Sequence, residues 1–231
     1  AAELMESGWS MKHLHRLIVT SAAYRRASGT GDASRNVAID PENRLLWRMN
    51  AGRMEAEVVR DSLLYCAARL DLRMGGQELE NSDALTTFRR SLYYSVHPEQ
   101  GGKSSLGELF DAPDALDCYR RTRSVVPQQA LALTNSDLVH QMSAAIVKDW
   151  ETAPKGEMPG SEEAQIQQFI AAVFERILSR SPTDKESRLC QETYARQRDL
   201  AARTNTAEAA TRARESLVRA LLNHNDFITI R

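Results

Sequence analysis

The sequence holds only three cysteines, Cys66, Cys118 and Cys190, and no two of them form a Cys-x-x-Cys pair. Structural zinc, c-type haem attachment and thioredoxin chemistry all need that spacing, so each lacks its motif. Cys66 falls on an apolar helical face and is expected to be an inert core residue. Cys118 and Cys190 can pair only if folding brings them together, since a disulfide needs a geometry that sequence does not supply. Excess charge is missing too: 30 basic against 31 acidic side chains leave a net charge of −1. Nucleic-acid binders carry a basic footprint, so neither nucleic acid nor an anionic membrane has an electrostatic case. No apolar run approaches the ~20 residues that span a bilayer, and no membrane insertion is expected. Internal repeats and coiled-coil heptads are absent. The chain begins AAELMESGWS, with neither initiator Met nor signal peptide. It is expected to be a piece of a longer protein, so the missing leader gives no address.

What is present is a globular composition. Hydrophobic residues make up 42% and charged residues 26% of 231 positions, enough for one large domain or two small ones. Helical periodicity dominates. Ser10 can cap a helix whose stripe is Leu14, Leu17, Ile18 and Ser21, ending near Tyr24. GTGDAS at 29–34 reads as a loop. Asp40-Pro41 reads as a helix start, with Asp as N-cap and Pro at the first helical position. A longer helix is predicted from about Arg53 to Leu70, with Ala56, Val59, Leu63, Cys66 and Leu70 as its buried stripe. Gly75-Gly76 ends it. Residues 77–126 are the least helical, and FRRSLYYSV at 88–96 has the composition of a strand or extended segment. Helix returns near Pro127, with Leu138, Met142, Ala145 and Ile146 on one face. Residues 151–163, rich in Pro, Gly and charge, are the best linker candidate. Beyond them Ile166, Phe169, Ile170, Val173, Phe174 and Ile177 form the strongest amphipathic pattern. Thr183 with Glu186 makes a capping box, and a last helix runs from about Ala207 to Leu222.

The expected fold is mainly α: an irregular helical domain with a loop-rich middle, one short strand pair at most, and a C-terminal three-helix lobe. Two organisations stand. Either a body (1–150, loop-rich over 77–126) joins a lobe (164–231) through a linker at 151–163, or body and lobe form one domain with a surface loop.

Chemical motifs are sparse. GGKSS at 101–105 follows a possible strand, but a P-loop needs Gly where His97 stands, and no strongly helical segment is expected directly after it. His13 and His15 point about 200° apart on a helix, so one metal cannot readily take both. No GxSxG elbow is present. No metal or cofactor is expected. Two charged clusters remain. Arg53, Glu57, Arg60 and Asp61 fall beside the apolar stripe of the predicted helix, at i,i+3 and i,i+4 spacings. They read as a salt-bridge network docking the helix against an Arg-rich loop, or as a functional site using the same charges. The second cluster is FDAPDALDCYRRTRSVVPQQALALTN at 110–135. It gathers Asp111, Asp114, Arg120, Arg121, Gln128 and Gln129 between Pro113 and Pro127. Arg121 is a candidate bidentate partner for Asp111 or Asp114, and Gln128 and Gln129 can satisfy backbone groups of an irregular region. The segment reads as a stabilising polar hub, as a groove for carbohydrate, peptide or an anionic group, or as a catalytic centre.

FDAPD, CYRR and SVVPQQALALTN resemble a domain of unknown function abundant in planctomycete multidomain proteins, usually C-terminal to planctomycete cytochrome-C-type domains. KHLHRLIVTSAAYRR (12–26), DPENRLLWRMN (40–50), RMEAEVVRDSLL (53–64), RILSRSPTDKE (176–186) and LLNHNDFITIR (221–231) match in the expected order. The resemblance implies a module of an exported, haem-bearing parent, located outside the cytoplasm. Its partners would be the parent's other domains, with surface polysaccharide as a further candidate. The upstream CxxCH motif is missing here, so haem is not assigned to this chain. Two functions are carried from this point: a noncatalytic binding or scaffolding module, and a glycan-active enzyme using Asp111, Asp114 or Glu57 as acid and base.

Overall fold

The computed structural model describes residues 1–29, 31, 33–100, 102–117, 121–154 and 160–230. The protein is mainly α, and its backbone contacts divide it into two units.

One unit comprises Ala1–Arg53 with the last residues from Thr229. It contains α1 (Ala2–Glu6), α2 (Met11–Thr20), α3 (Ser34–Ile39) and an antiparallel ribbon. The ribbon pairs β1 (Gly52–Arg53) with β2 (Thr229–Ile230), Gly52 opposite Ile230. Ser10 caps α2 as its sequence position suggests, accepting from the His13 backbone N–H at 3.3 Å. The helix is shorter than expected because Ser21 takes an extended conformation (φ −63°, ψ 149°).

Asp40-Pro41 does not start a helix. Asp40 closes α3, and its carboxylate accepts from the N–H groups of Arg44 at 2.9 Å and Leu45 at 2.7 Å. A helix N-cap would instead bind the second or third N–H after it. Asn43 and Leu46 sit at φ 57° and 54°, a left-handed conformation that no α-helix continues through. The result is a closed loop, latched by the Trp47 indole N–H on the Asp40 carbonyl at 2.8 Å. Among the described residues, the buried ones in this unit are the polar Asp40 and Asn43.

The other unit, Met54–Ile228, holds the hydrophobic core. Its helices are α4 (Ala56–Cys66), α5 (Ser105–Leu109), α6 (Pro127–Asn135), α7 (Asp137–Thr152), α8 (Glu162–Leu178), α9 (Asp184–Ala202) and α10 (Ala209–Leu222). Val59 and Leu63 of α4, Met142 and Ile146 of α7, Phe169 and Ile170 of α8, and Val218 and Leu222 of α10 are buried in one cluster. Each such side chain is worth roughly 1.5–3 kcal/mol removed from water. Trp150 meets Phe169 edge-on, ring centres 5.6 Å apart. The helix expected from Pro127 onward is two helices. Ser136 adopts an extended conformation, ends α6, and caps α7 by accepting from the Val139 N–H. The 151–163 segment overlaps residues 155–159, which lie outside the described residues; α8 follows, capped by Ser161.

The middle of the chain is irregular, as expected, but the only ladder among the described residues lies elsewhere, between β1 and β2. Residues 88–96 run extended around a 3₁₀ turn (Ser91–Tyr93), tied by isolated bridges Asp71–Arg89 and Leu79–Tyr94. Of GGKSS, Gly101 lies outside the described residues, 102–104 are non-helical, and Ser105 already begins α5, with Ser104 as its cap. Gly102 is required there: a Cβ would overlap the His97 carbonyl.

Candidate functional site

The N-terminal half of α4 faces a cleft of about 310 Å³ inside the Met54–Ile228 unit. Its polar wall is Glu55, Glu57, Lys103 and Arg121; its apolar floor includes Leu92, Leu106 and Pro113. A second groove of about 420 Å³ lies along the same helix, lined by Val58, Asp61, Tyr65, Leu72 and Arg90. Glu57 and Leu92 line both.

Arg60 is the central polar residue. Its side chain is 3% exposed. Nε donates to the Ala84 carbonyl at 2.9 Å, Nη1 to the Arg89 carbonyl at 2.8 Å, and Nη2 to the Thr87 carbonyl. Further bonds reach Ser91 Oγ and Tyr94 Oη, and the guanidinium lies 4.9 Å from the centre of the Tyr94 ring. Burial lowers the Arg60 pKa from its ordinary value, partly opposed by Tyr94 and Asp61. Five planar donors in a fixed fork suit this task. One helix side chain binds the backbone of an irregular segment that has no ladder of its own. Asp61 completes the tether: its Oδ1 accepts from Ser91 N at 2.8 Å and Ser91 Oγ at 2.7 Å.

Arg121 reaches α4 from the opposite lip. Nη1 donates to Glu57 Oε2 at 2.8 Å and Nη2 to Oε1 at 3.1 Å, a bidentate pair, with Glu55 at 3.7 Å. Burial, the largest single influence, pushes the Glu57 pKa up, but the Arg121 hydrogen bonds, a bond from its own backbone N–H and the Arg121 charge together hold the carboxyl below its usual range. Glu57 therefore stays ionised near neutral pH.

The remaining sequence candidates divide. Asp111, at φ 58°, accepts from Ser124 N at 2.6 Å and Ser124 Oγ at 2.9 Å. Gln129 is buried; its Nε2 donates to the Leu109 carbonyl at 2.7 Å and its Oε1 accepts from Val126 N. These two side chains link residues 109 and 111 to residues 124–129. Asp114 is exposed, accepts from Leu116 N at 2.9 Å and lies 3.6 Å from Lys103 Nζ. Gln128 is exposed on α6. Arg53 is not on the helix at all: it lies in β1, in the other unit. Arg120 and Cys118 lie outside the described residues. Arg121 pairs with Glu57, not with Asp111 or Asp114. Sequence reasoning missed Glu55, Tyr94 and Lys103 as lining residues; they lie within RMEAEVVRDSLL, FRRSLYYSV and GGKSS respectively, and no pattern there marks them out.

Among the described residues, no group of three or more His, Cys, Asp or Glu is placed to hold a metal ion. No helix among them is long and apolar enough to cross a membrane. Cys66 and Cys190 are free buried thiols, both with pKa pushed up to about 11 by burial.

No curated protein and no solved structure matches the sequence. A family model does, that of PSD1, a protein of unknown function (DUF1553), over residues 1–194. With that share of its 231 residues matched, the chain belongs to the PSD1 (DUF1553) family.

Proposed function

We propose that this chain is a noncatalytic binding module, and that the cleft beside α4 is its ligand face. The observation that carries this reading is the commitment to the fold of the polar side chains in and beside the cleft. Arg60 spends every nitrogen on backbone and side-chain partners. Glu57 is locked to Arg121. Asp111 is held by Ser124 and Asp114 by its own turn. A general acid or base needs a proton it can exchange near the working pH, and a carboxylate held ionised by a guanidinium is poorly suited to that. A concave, mixed polar and apolar surface on a rigid support suits recognition. The family resemblance adds context: a module in an exported, haem-bearing parent, working beside the parent's other domains and carbohydrate, with no cofactor of its own.

The test is a binding and turnover screen on the purified chain. Neutral and acidic oligosaccharides and the parent's other domains would be titrated while amide NMR shifts are followed, and products would be assayed in parallel. Saturable shifts at Glu55, Ser95 and Lys103 without product are expected. Turnover of any glycan by folded protein, lost in Glu57→Gln, would overturn the reading.

A further inference from the structure

Resting on the reading of this chain as a binding module, we infer that the two grooves along α4 form one surface for an uncharged oligosaccharide long enough to occupy both. The grooves share Glu57 and Leu92 as a common ridge. A ligand crossing that ridge touches the inner floor of Leu106 and Pro113 on one side and Val58, Tyr65 and Leu72 on the other. Tyr65, Leu72 and Leu92 are 70%, 62% and 56% exposed, so the outer groove presents a contiguous apolar strip with one accessible aromatic ring. The negative face of an aromatic ring attracts the polarised C–H groups of a sugar ring.

The wall charges select a neutral occupant. Arg121 is matched to Glu57, Lys103 faces Asp114 at 3.6 Å, and Arg60 and Arg90 face Asp61 at 3.6 Å and 4.0 Å. Each of these cations faces a carboxylate, Arg60 and Arg90 sharing that of Asp61. Glu55, half exposed and 3.7 Å from Arg121, brings these four cations into balance with four carboxylates. A sulfated or uronic-acid polymer finds no excess cation there to pair with. Sugar hydroxyls meet acceptors instead: each Glu57 oxygen takes one N–H from Arg121, and a carboxylate offers about four acceptor sites in all. A peptide adding as a strand needs an open backbone edge. The extended segment here is already bonded to Leu79, through Leu79 N to Tyr93 O at 2.8 Å and Ser95 N to Leu79 O at 3.0 Å.

Isothermal titration of the full chain with a graded series of neutral gluco-, manno- and galacto-oligosaccharides, from disaccharide upward, tests this. Affinity in at least one series is expected to rise by about tenfold or more with length and then level off, as linked subsites fill. Tyr65→Ala, at an exposed position that leaves the core untouched, is expected to cut affinity for the long members about tenfold and leave the disaccharide unchanged. Three results overturn the inference while leaving a binding module standing: affinity independent of length, tighter binding of sulfated or uronic oligomers, or an extended peptide displacing the sugar from both grooves. Binding of no sugar, peptide or parent domain overturns the inference and the binding-module reading together.

Discussion

Arg60 donates from all three guanidinium nitrogens to the carbonyls of residues 84, 87 and 89, and those carbonyls lie in a segment tied to its neighbours only by isolated bridges. Arg60→Met removes the donors and leaves buried acceptors behind, each costing roughly 1–3 kcal/mol. The expected loss is about 3 kcal/mol, read as a lower urea midpoint, with faster hydrogen exchange over residues 84–94. An unchanged midpoint would show that the tether contributes nothing. Arg121 and Glu57 form the second fixed pair, both about one-third exposed. A double-mutant cycle with Arg121→Ala and Glu57→Ala is expected to return a coupling of about 1 kcal/mol, since an exposed ion pair is screened and costs side-chain entropy. Both residues are visible in the sequence as polar candidates. Their pairing is not, because the partners stand 64 positions apart and only tertiary folding brings them together. The thiols give a third residue-scale expectation. With pKa values near 11, Cys66 and Cys190 are protonated at pH 8, and a thiol is a poor nucleophile. A disulfide reagent should modify them in native protein no faster than the chain unfolds; rapid labelling of either would contradict their burial.

Helix starts are the most legible elements, because a cap is a local device. Ser10 and the Thr183–Glu186 box are where the sequence puts them. Thr183 Oγ1 accepts from Glu186 N at 3.3 Å, and Glu186 Oε2 accepts from Thr183 N at 2.8 Å. The same Glu186 carboxylate takes two bonds from Arg180, at 2.6 Å and 3.0 Å, and Arg180 also reaches Asp226 at 2.9 Å. Thr183→Ala should therefore cost about 1 kcal/mol, the usual value of a cap. Glu186→Gln should cost more, because it weakens both the box and the Arg180 clamp. Melting temperatures of the two variants check this, and an inverted order would mean the clamp is not coupled to the fold. Asp40-Pro41 carries the same kind of signal and fails. Its carboxylate binds residues four and five positions on, and left-handed Asn43 and Leu46 turn the chain away from a helix. The break at Ser136 is equally hidden, since an apolar stripe continues across it. The middle segment is legible only as non-helical. Residues 84–94 are held by the Arg60 and Asp61 side chains of another element, which no local pattern in that segment encodes.

At the scale of the molecule, near-zero net charge conceals dense internal pairing, and that pairing sets the response to pH. Glu57 is held below its ordinary pKa: burial raises it most, but the Arg121 hydrogen bonds, its own backbone N–H and the Arg121 charge together outweigh that. Glu186 is lowered to about 2, first by the Arg180 hydrogen bonds and then by those from Thr183, against some cost of burial. Asp71 is lowered by the hydrogen bonds of Arg73. In the unfolded chain these groups return to the ordinary carboxylate range near 4. A carboxyl whose pKa is lower folded than unfolded binds protons more tightly in the unfolded state as pH drops. Its stabilisation is complete above the unfolded pKa and disappears as pH falls toward the folded one. Unfolding free energy, measured by urea titration across pH, should stay flat from about pH 7 to about pH 5 and then decline continuously toward about pH 2. In Glu186→Gln the decline should be shallower, because one of the groups that takes up a proton on unfolding has been removed. Stability that rises between pH 5 and pH 3, or a Glu186→Gln profile parallel to that of the unsubstituted protein, would mean that the Arg180 and Arg121 clamps do not govern the acid limb.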